Sequence, residues 1–199
     1  MAWTAVGALY NATGGGSVTN TTIGNLRVVW TGASTSPTVS GGGVTTWTRV
    51  IYGPGTQQGV FQVIAYGLVT ATGAQTLTVS ASPFETVSHE FAPASGTPGI
   101  DTSGHLSGTS TGTVAGTSLT PSAAADLWAG YMVASSVGTG NTTGVVYATT
   151  VSSNQIGYHL NAPSGAYAPN FGPSSAWDSV AAMFIASGAV ANIAMDMII

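Results

Sequence analysis

The sequence predicts an all-β protein built as a two-sheet antiparallel sandwich, and two observations support this. Short runs rich in valine, isoleucine, threonine and aromatic residues recur along the chain between clusters of Gly, Pro, Asn and Ser. No long segment shows the 3.6-residue apolar period of a helix. Because β-sandwiches commonly reach about 200 residues undivided, we expect residues 1–199 to form a single domain.

Six strands are predicted in the first part of the chain, each a run of β-branched and aromatic residues. Turn signals such as Pro54-Gly55 and Thr72-Gly73 separate them. The six are Trp3–Tyr10, Leu26–Thr31, Val44–Tyr52, Val60–Thr70, Gln75–Ala81 and Phe84–Phe91.

A stretch dominated by Gly, Ser, Thr and Pro follows at residues 92–122, and its composition predicts a long loop. Four more strands are predicted after it, with a turn signal at Ser153-Asn154. They are Leu127–Ser135, Val145–Ser152, Gln155–Leu160 and Trp177–Ala186. A second irregular stretch lies at residues 161–176.

A last apolar strand is predicted at residues 189–199. Its alternation places Ala191, Ile193, Met195, Met197 and Ile199 on one face. A strand ending in two isoleucines is a sticky edge unless it pairs with its own sheet or with another chain. We therefore interpret this segment as an assembly strand.

The two parts of the chain share one short sequence similarity. Residues 25–30 read Asn-Leu-Arg-Val-Val-Trp, and residues 126–131 read Asp-Leu-Trp-Ala-Gly-Tyr, so a polar residue opens an apolar strand in both. Two related half-sheets are one interpretation. A single short match in a β-rich chain does not establish a duplication.

Charge is scarce in this chain. Lysine and arginine together number 2 and aspartate and glutamate 6, whereas about a quarter of the residues in an ordinary domain are charged. With two arginines and an acidic balance, the chain cannot neutralise several phosphates, which argues against nucleic-acid binding. Proteins use charge to stay monomeric and to protect sheet edges, so the shortage of charged residues indicates that the protein is a subunit of an assembly.

Two predicted strands are apolar on both faces, at residues 60–66 and 127–133. Such strands need cover on each side. In a two-sheet sandwich the outer cover would come from a neighbouring subunit, although Ala, Gly and Tyr can also tolerate water.

The titratable residues do not form a recognisable catalytic or metal-binding set. Glu85 and His89 are predicted on one face of a strand and Glu90 on the other. For this group, a hydrogen bond on the strand face or an interfacial ion pair with Arg27 or Arg49 is favoured over catalysis. Asp101 and His105 supply only two ligands, and metal sites generally need three or four. The sequence therefore predicts no enzyme, no metal and no cofactor.

Tyr167, Asn170 and Phe171 lie in the second irregular stretch. Aromatic residues in a long loop either plug the end of the sandwich or face a ligand, and a host cell-surface glycan is the ligand considered. The 17 residues between Asp178 and Asp196 are interrupted by Ser, Gly and Asn and fall at the lower limit for a membrane span, so none is expected.

Five segments, in order, resemble strands of small β-sandwich proteins from the virions of tailed bacteriophages, particularly those of actinobacteria, often labelled minor tail proteins. The segments are residues 25–30, 45–50, 87–91, 126–130 and 177–184, the second reading Thr-Thr-Trp-Thr-Arg-Val. The resemblance implies a jelly-roll or concanavalin-like sandwich and a non-enzymatic structural role in the virion. This would be a minor tail or capsid decoration protein, with other virion proteins as partners and a homo-oligomer, a trimer favoured. A carbohydrate-binding module for host attachment is the alternative. The pattern ends near Ile185, so the C-terminal strand is extra to it.

Overall fold

The computed structural model describes residues 3–122 and 126–187, and these residues form sixteen β-strands and no helix. The all-β prediction is confirmed. The first eight strands are β1 (Trp3–Ala12), β2 (Gly16–Asn20), β3 (Leu26–Ala33), β4 (Val39–Gly41), β5 (Thr48–Tyr52), β6 (Phe61–Leu68), β7 (Gly73–Val79) and β8 (Glu85–Pro93). The next eight are β9 (Thr97–Gly108), β10 (Val114–Ala115), β11 (Asp126–Val133), β12 (Val137–Gly138), β13 (Val146–Thr149), β14 (Gln155–Ala162), β15 (Asn170–Pro173) and β16 (Trp177–Ser187).

Two five-stranded antiparallel sheets face each other at the centre of the molecule. The first central sheet has the order β1-β8-β3-β6-β5, and the second has β13-β14-β11-β16-β9. Their facing sides share one apolar core, to which the first sheet contributes Trp30 and Phe91 and the second Tyr131 and Phe184. Large aromatic side chains buried from both sides hold the sheets together mainly through the hydrophobic effect.

Each central sheet also carries a smaller sheet on its outer face. The first outer sheet, β2-β7-β4, packs Val18 and Leu77 against Val29 and Val63. The second outer sheet contains β10-β15-β12 and covers Trp128, which lies in a separate buried cluster. The prediction of only two sheets was therefore wrong, because the chain builds four layers.

The four layers explain why some strands are apolar on both faces. All eight residues of β11 are buried, and in β6 residues 62–65 and Gly67 are buried while Phe61, Tyr66 and Leu68 are partly buried. Because the chain's own outer sheets supply the second cover, these strands do not require a neighbouring subunit. The expectation of such a neighbour was wrong for this part of the surface.

The predicted loop at residues 92–122 was also wrong in its first half. Residues Thr97–Gly108 form β9, the longest of the described strands, which pairs along its length with β16 at the edge of the second central sheet. An edge strand packs on one neighbour only, so small side chains are sufficient there and the usual β-branched signature is weak. Residues 109–122 are mostly irregular, apart from β10.

The two halves of the chain repeat the same strand order. Adding eight to each strand number converts β1-β8-β3-β6-β5 into β9-β16-β11-β14-β13, which is the second central sheet counted from its other edge. The same addition converts the first outer sheet, β2-β7-β4, into the second, β10-β15-β12. The repeat also holds in register. Leu26 pairs with Phe91 in the first half, and Leu127 pairs with Phe184 in the second. The sequence similarity at residues 25–30 and 126–131 therefore falls on equivalent strands, β3 and β11.

Most other predicted strands have an observed counterpart with shifted ends. Val44 forms only an isolated bridge with Val69, so β5 begins at Thr48. The short strands β2, β4, β12 and β15 were not predicted. The C-terminal strand predicted at residues 189–199, with Ile193, Met195, Met197 and Ile199, lies outside the described residues. No helix in the described ranges has the length and apolarity to cross a membrane.

Candidate assembly surface

Exposed apolar side chains concentrate at the edges of the central sandwich. Among the described residues, the exposed large apolar side chains are Ile23, Ile51, Ile100, Leu106, Val146 and Val151. All but Ile23 lie on the edge strands β5, β9 and β13 or in the turn that follows β13. The four edge strands, β1 included, carry only Arg49 and Asp101 as fully charged residues. Edge strands normally protect themselves with charges, especially lysine, so these edges are poorly protected against pairing.

One lateral side of the sandwich is formed by the edge strands β5 and β9. The Tyr52 hydroxyl on β5 lies 2.6 Å from Oγ of Ser107 on β9. The Tyr52 ring stacks on His105 with 4.1 Å between ring centroids and an interplanar angle of 14°. These contacts join the edges of the two central sheets, so β5 and β9 form one continuous side.

A buried carboxylate strengthens this side. Asp178, on β16, accepts a 2.6 Å hydrogen bond from the Ser107 hydroxyl and a 2.7 Å bond from the backbone N–H of Gln58. The N–H of Gln57 also points at this carboxylate. Asp178 therefore fixes the turn between β5 and β6, which belongs to the opposite half of the chain.

Glu85 is the equivalent buried carboxylate on the other lateral side. Gly32 lies six residues after Leu26 on β3 and pairs with Glu85. Val133 lies six residues after Leu127 on β11 and pairs with Asp178. The two carboxylates therefore occupy equivalent positions in the two halves. Glu85 accepts hydrogen bonds from three second-half side chains: Tyr131, Thr150 and Asn154. Its burial raises the pKa of Glu85. Each half thus holds the β5–β6 or β13–β14 turn of the other.

The strand β9 has two distinct faces beyond its bulge. Its register with β16 shifts at Asp101 and is regular from Thr102 to Gly108. Ser103, His105 and Ser107 pair with residues that face the central core, namely Ala182, Val180 and Asp178. Thr102, Gly104 and Leu106 face the opposite side, and Leu106 is 43% exposed. The regular part of β9 therefore presents a polar row and an apolar row.

Asp101 and His105 do not share a site, because the bulge turns them to opposite faces. Asp101 accepts a 2.6 Å hydrogen bond from the backbone N–H of Ser122. It is also hydrogen-bonded to Asp126, and burial together with this second carboxylate raises the pKa of Asp126 to about 7. Within the described ranges, no group of three His, Asp or Glu side chains is arranged to hold a metal ion.

The structure places Glu85, His89 and Glu90 on two faces of β8, as the strand period predicts. His89 packs among Phe91 and Tyr158 in the central core, and burial lowers the pKa of His89. Glu90 faces the first outer sheet and forms a buried ion pair with Arg27 at 3.2 Å. Neither Glu85 nor Glu90 faces an open cleft.

Tyr167, Asn170 and Phe171 come together at the second outer sheet. Phe171 is 1% exposed and packs against Trp128 and Tyr147. Tyr167 is also buried, and its hydroxyl lies 2.6 Å from Nδ1 of His159. Asn170 is half-buried and donates to the Asn141 side chain at 3.1 Å. The two aromatic rings fill the space between β11 and the second outer sheet, so neither presents an open face to a ligand.

Comparison with known proteins adds no relative. No protein-family model matches the chain, and neither a curated protein nor a solved structure matches it.

Proposed function

We propose that this chain is a non-enzymatic structural protein of a bacteriophage virion, a minor tail or capsid decoration protein that acts through contacts between subunits. One structural observation carries the assembly part of this proposal. Among the described residues, five of the six exposed large apolar side chains lie on edge strands of the central sheets or in the turn after one, and these edges carry almost no charge. Such edges favour strand addition from another chain.

The virion part of the proposal rests on the resemblance of five strand segments to tailed-phage virion proteins. The strand order supports the finer fold that this resemblance implies. In each half, eight strands form two antiparallel sheets whose neighbours are distant in sequence, as with β1 beside β8 and β2 beside β7. Eight strands in two sheets with Greek-key connections define a jelly roll, so we infer two jelly-roll halves packed face to face.

The glycan-binding alternative depended on Tyr167, Asn170 and Phe171. Sugar recognition by stacking needs an accessible ring face, and the rings of Tyr167 and Phe171 are buried. We therefore favour assembly as the function of this chain.

Light scattering on the purified full-length chain tests the assembly function. We expect a discrete oligomer, with a trimer as the favoured state. A soluble monomer that persists at high protein concentration would contradict the proposal.

Antibody labelling of phage particles tests the location. In virions of a tailed phage that encodes this chain, electron microscopy should show label on the tail or on the capsid. Particles that carry no label and lack the chain by mass spectrometry would exclude a virion protein.

A further inference from the structure

We propose that two copies of this chain join edge to edge through β9, with the two β9 strands antiparallel about a two-fold axis that passes beside His105. This inference rests on the proposed assembly function and names its interface. In the described part of the chain, β9 pairs with β16 alone, so the regular segment Thr102–Gly108 has no strand on its other side.

Among the described edge strands of the two central sheets, β9 is the least protected against pairing. Its register with β16 is regular over the seven residues Thr102–Gly108, whereas β5 has five residues and β13 has four. β1 is longer, but a register shift interrupts it, and such irregularities protect an edge. On the β13 side, the Asn11 side chain already bonds the Thr149 carbonyl and the Val151 N–H, so part of that edge is closed from within the chain.

The regular segment of β9 is complementary to itself. A two-fold axis perpendicular to the sheet keeps each face of β9 on the same side in both copies, and directly opposite side chains share a face. His105 is the middle residue of the segment, so an axis there gives every residue of Thr102–Gly108 an opposite partner. On the polar row, Ser103 of one copy then lies opposite Ser107 of the second copy.

The apolar row pairs a large side chain with a small residue. Leu106, which is 43% exposed, lies opposite Gly104 of the second copy in this register. A Cβ at Gly104 would lie 3.2 Å from the buried Leu119, so the leucine of one copy fits over Gly104 and toward Leu119 of the other. The axis makes this contact twice. Because the contact removes apolar area of Leu106 from water, it favours association.

The polar row places aromatic rings at the centre of the contact. His105 is exposed and stacks on Tyr52 of β5, so an axis at His105 brings the stacked pairs of both copies together. Aromatic side chains are enriched at the centre of protein interfaces. Because Tyr52 belongs to the first central sheet, the contact involves both central sheets.

The absence of charge favours a second copy of the same chain as the occupant of this edge. Two-fold pairing sets identical residues close together, so a charged residue near the axis would face its own like charge. Residues 102–108 contain no Asp, Glu, Lys or Arg. A partner of different sequence would gain specificity from complementary charges, which this segment does not offer.

Light scattering on the full-length chain is the first test. A two-fold contact joins subunits in pairs, so we expect a dimer, or a hexamer where trimers also form through another surface. Leu106→Lys should give half the wild-type mass and keep the β-rich circular dichroism spectrum, because a lysine on an edge strand opposes strand pairing. Ile23→Lys is the matched control: Ile23 is 65% exposed and lies between β2 and β3, so this variant should keep the wild-type mass.

Single cysteines test the register. The chain contains no cysteine, so oxidation of a His105→Cys variant can link only the introduced thiols. Opposite residues of an antiparallel pair have Cα atoms about 5 Å apart, within the range of a disulfide, so this variant should form a covalent dimer. Ser103→Cys is the matched control on the same exposed row. Its two copies would lie about 14 Å apart, so it should give at least tenfold less covalent dimer.

The outcomes separate this inference from the proposed function. If the full-length chain is a monomer, the assembly function itself fails. If the oligomer has an odd number of subunits, if Leu106→Lys keeps the wild-type mass, or if His105→Cys forms no more covalent dimer than Ser103→Cys, assembly stands but the subunits meet elsewhere.

Discussion

At the scale of single residues, the most unusual feature is a buried ion pair in a chain that has almost no charge. Arg27 donates to Asn20 at 2.7 Å, to Ser88 at 3.1 Å and to Glu90 at 3.2 Å. Glu90 in turn accepts 2.6 Å and 2.9 Å bonds from the Asn25 and Thr21 side chains. Every polar group in the network is thus satisfied by a neighbour, as burial requires.

The second half shows that this site does not need charge to fold. At the positions equivalent to Arg27 and Glu90, the second half pairs Trp128 with Met183. An apolar pair thus fills the same space beneath the second outer sheet.

Arg27→Met should therefore lower the free energy of unfolding by about 3–5 kcal/mol, because it leaves the Glu90 carboxylate buried without its cation. Adding Glu90→Gln should recover about 1–2 kcal/mol, since the neutral amide still accepts from Asn25 and Thr21. Urea unfolding of wild type, both single variants and the double variant measures this coupling. Strictly additive losses would show that the ion pair is not the source of the effect.

A second residue-scale prediction concerns Asp126. Its pKa is raised from 3.8 to about 7 by burial and by Asp101. An acid with a raised pKa binds its proton more tightly in the folded state, so its contribution to stability is complete below about pH 4. That contribution decreases as the pH rises through about 7.

Asp126→Asn should remove this contribution, because the amide mimics the protonated acid and can still donate to Asp101. Urea unfolding between pH 4 and 7 should show a smaller decrease in stability for the variant than for wild type. Asp101→Asn should reduce the slope only in part, since burial of Asp126 remains. Equal slopes in wild type and Asp126→Asn would contradict the shifted pKa.

At the scale of strands, most strands could be predicted from their apolar residues, whereas β9 and the short strands β2, β4, β10, β12 and β15 could not. β3, β6, β11 and β16 each carry four or more large apolar or aromatic residues, because they are central strands covered on both faces. β9 has only two large apolar residues, Ile100 and Leu106, among Gly, Ser and Thr. Its composition is therefore that of a loop, although its pairing with β16 makes it a strand.

The candidate surface was only partly visible in the sequence for the same reason. The scarcity of charged residues in the sequence indicates assembly, and the apolar alternation of the C-terminal segment predicts an assembly strand there. The sequence could not identify the edge, because Tyr52, Ser107 and Asp178 meet only through sheet stacking. The sequence shows Tyr167 and Phe171 as aromatic residues in an irregular stretch, but whether they pack inward depends on the second outer sheet. The strands of that sheet, β10, β12 and β15, are only two to four residues long.

At the scale of the whole molecule, the two halves are similar but not independent. Each central sheet has a large apolar face whose only cover among the described residues is the opposite sheet. The carboxylates of Asp178 and Glu85 add hydrogen bonds between the halves: Asp178 accepts from the β5–β6 turn, and Glu85 accepts from the β13–β14 turn. A separated half would expose Trp30 and Phe91, or Tyr131 and Phe184, to water at a cost of about 1.5–3 kcal/mol for each side chain.

We therefore expect the halves to unfold together. In native-state hydrogen exchange, amides of β3 and β11 should open with the same free energy, because neither central sheet is stable without the other. Val87→Ala, which truncates a side chain in the shared core, should lower both values equally by about 1–3 kcal/mol. As a control, Thr76→Ala at an exposed position of β7 should leave both values within about 0.5 kcal/mol. If Val87→Ala weakened β3 while β11 kept its protection, the halves would be separate folding units, and the repeated strand order would describe two domains rather than one.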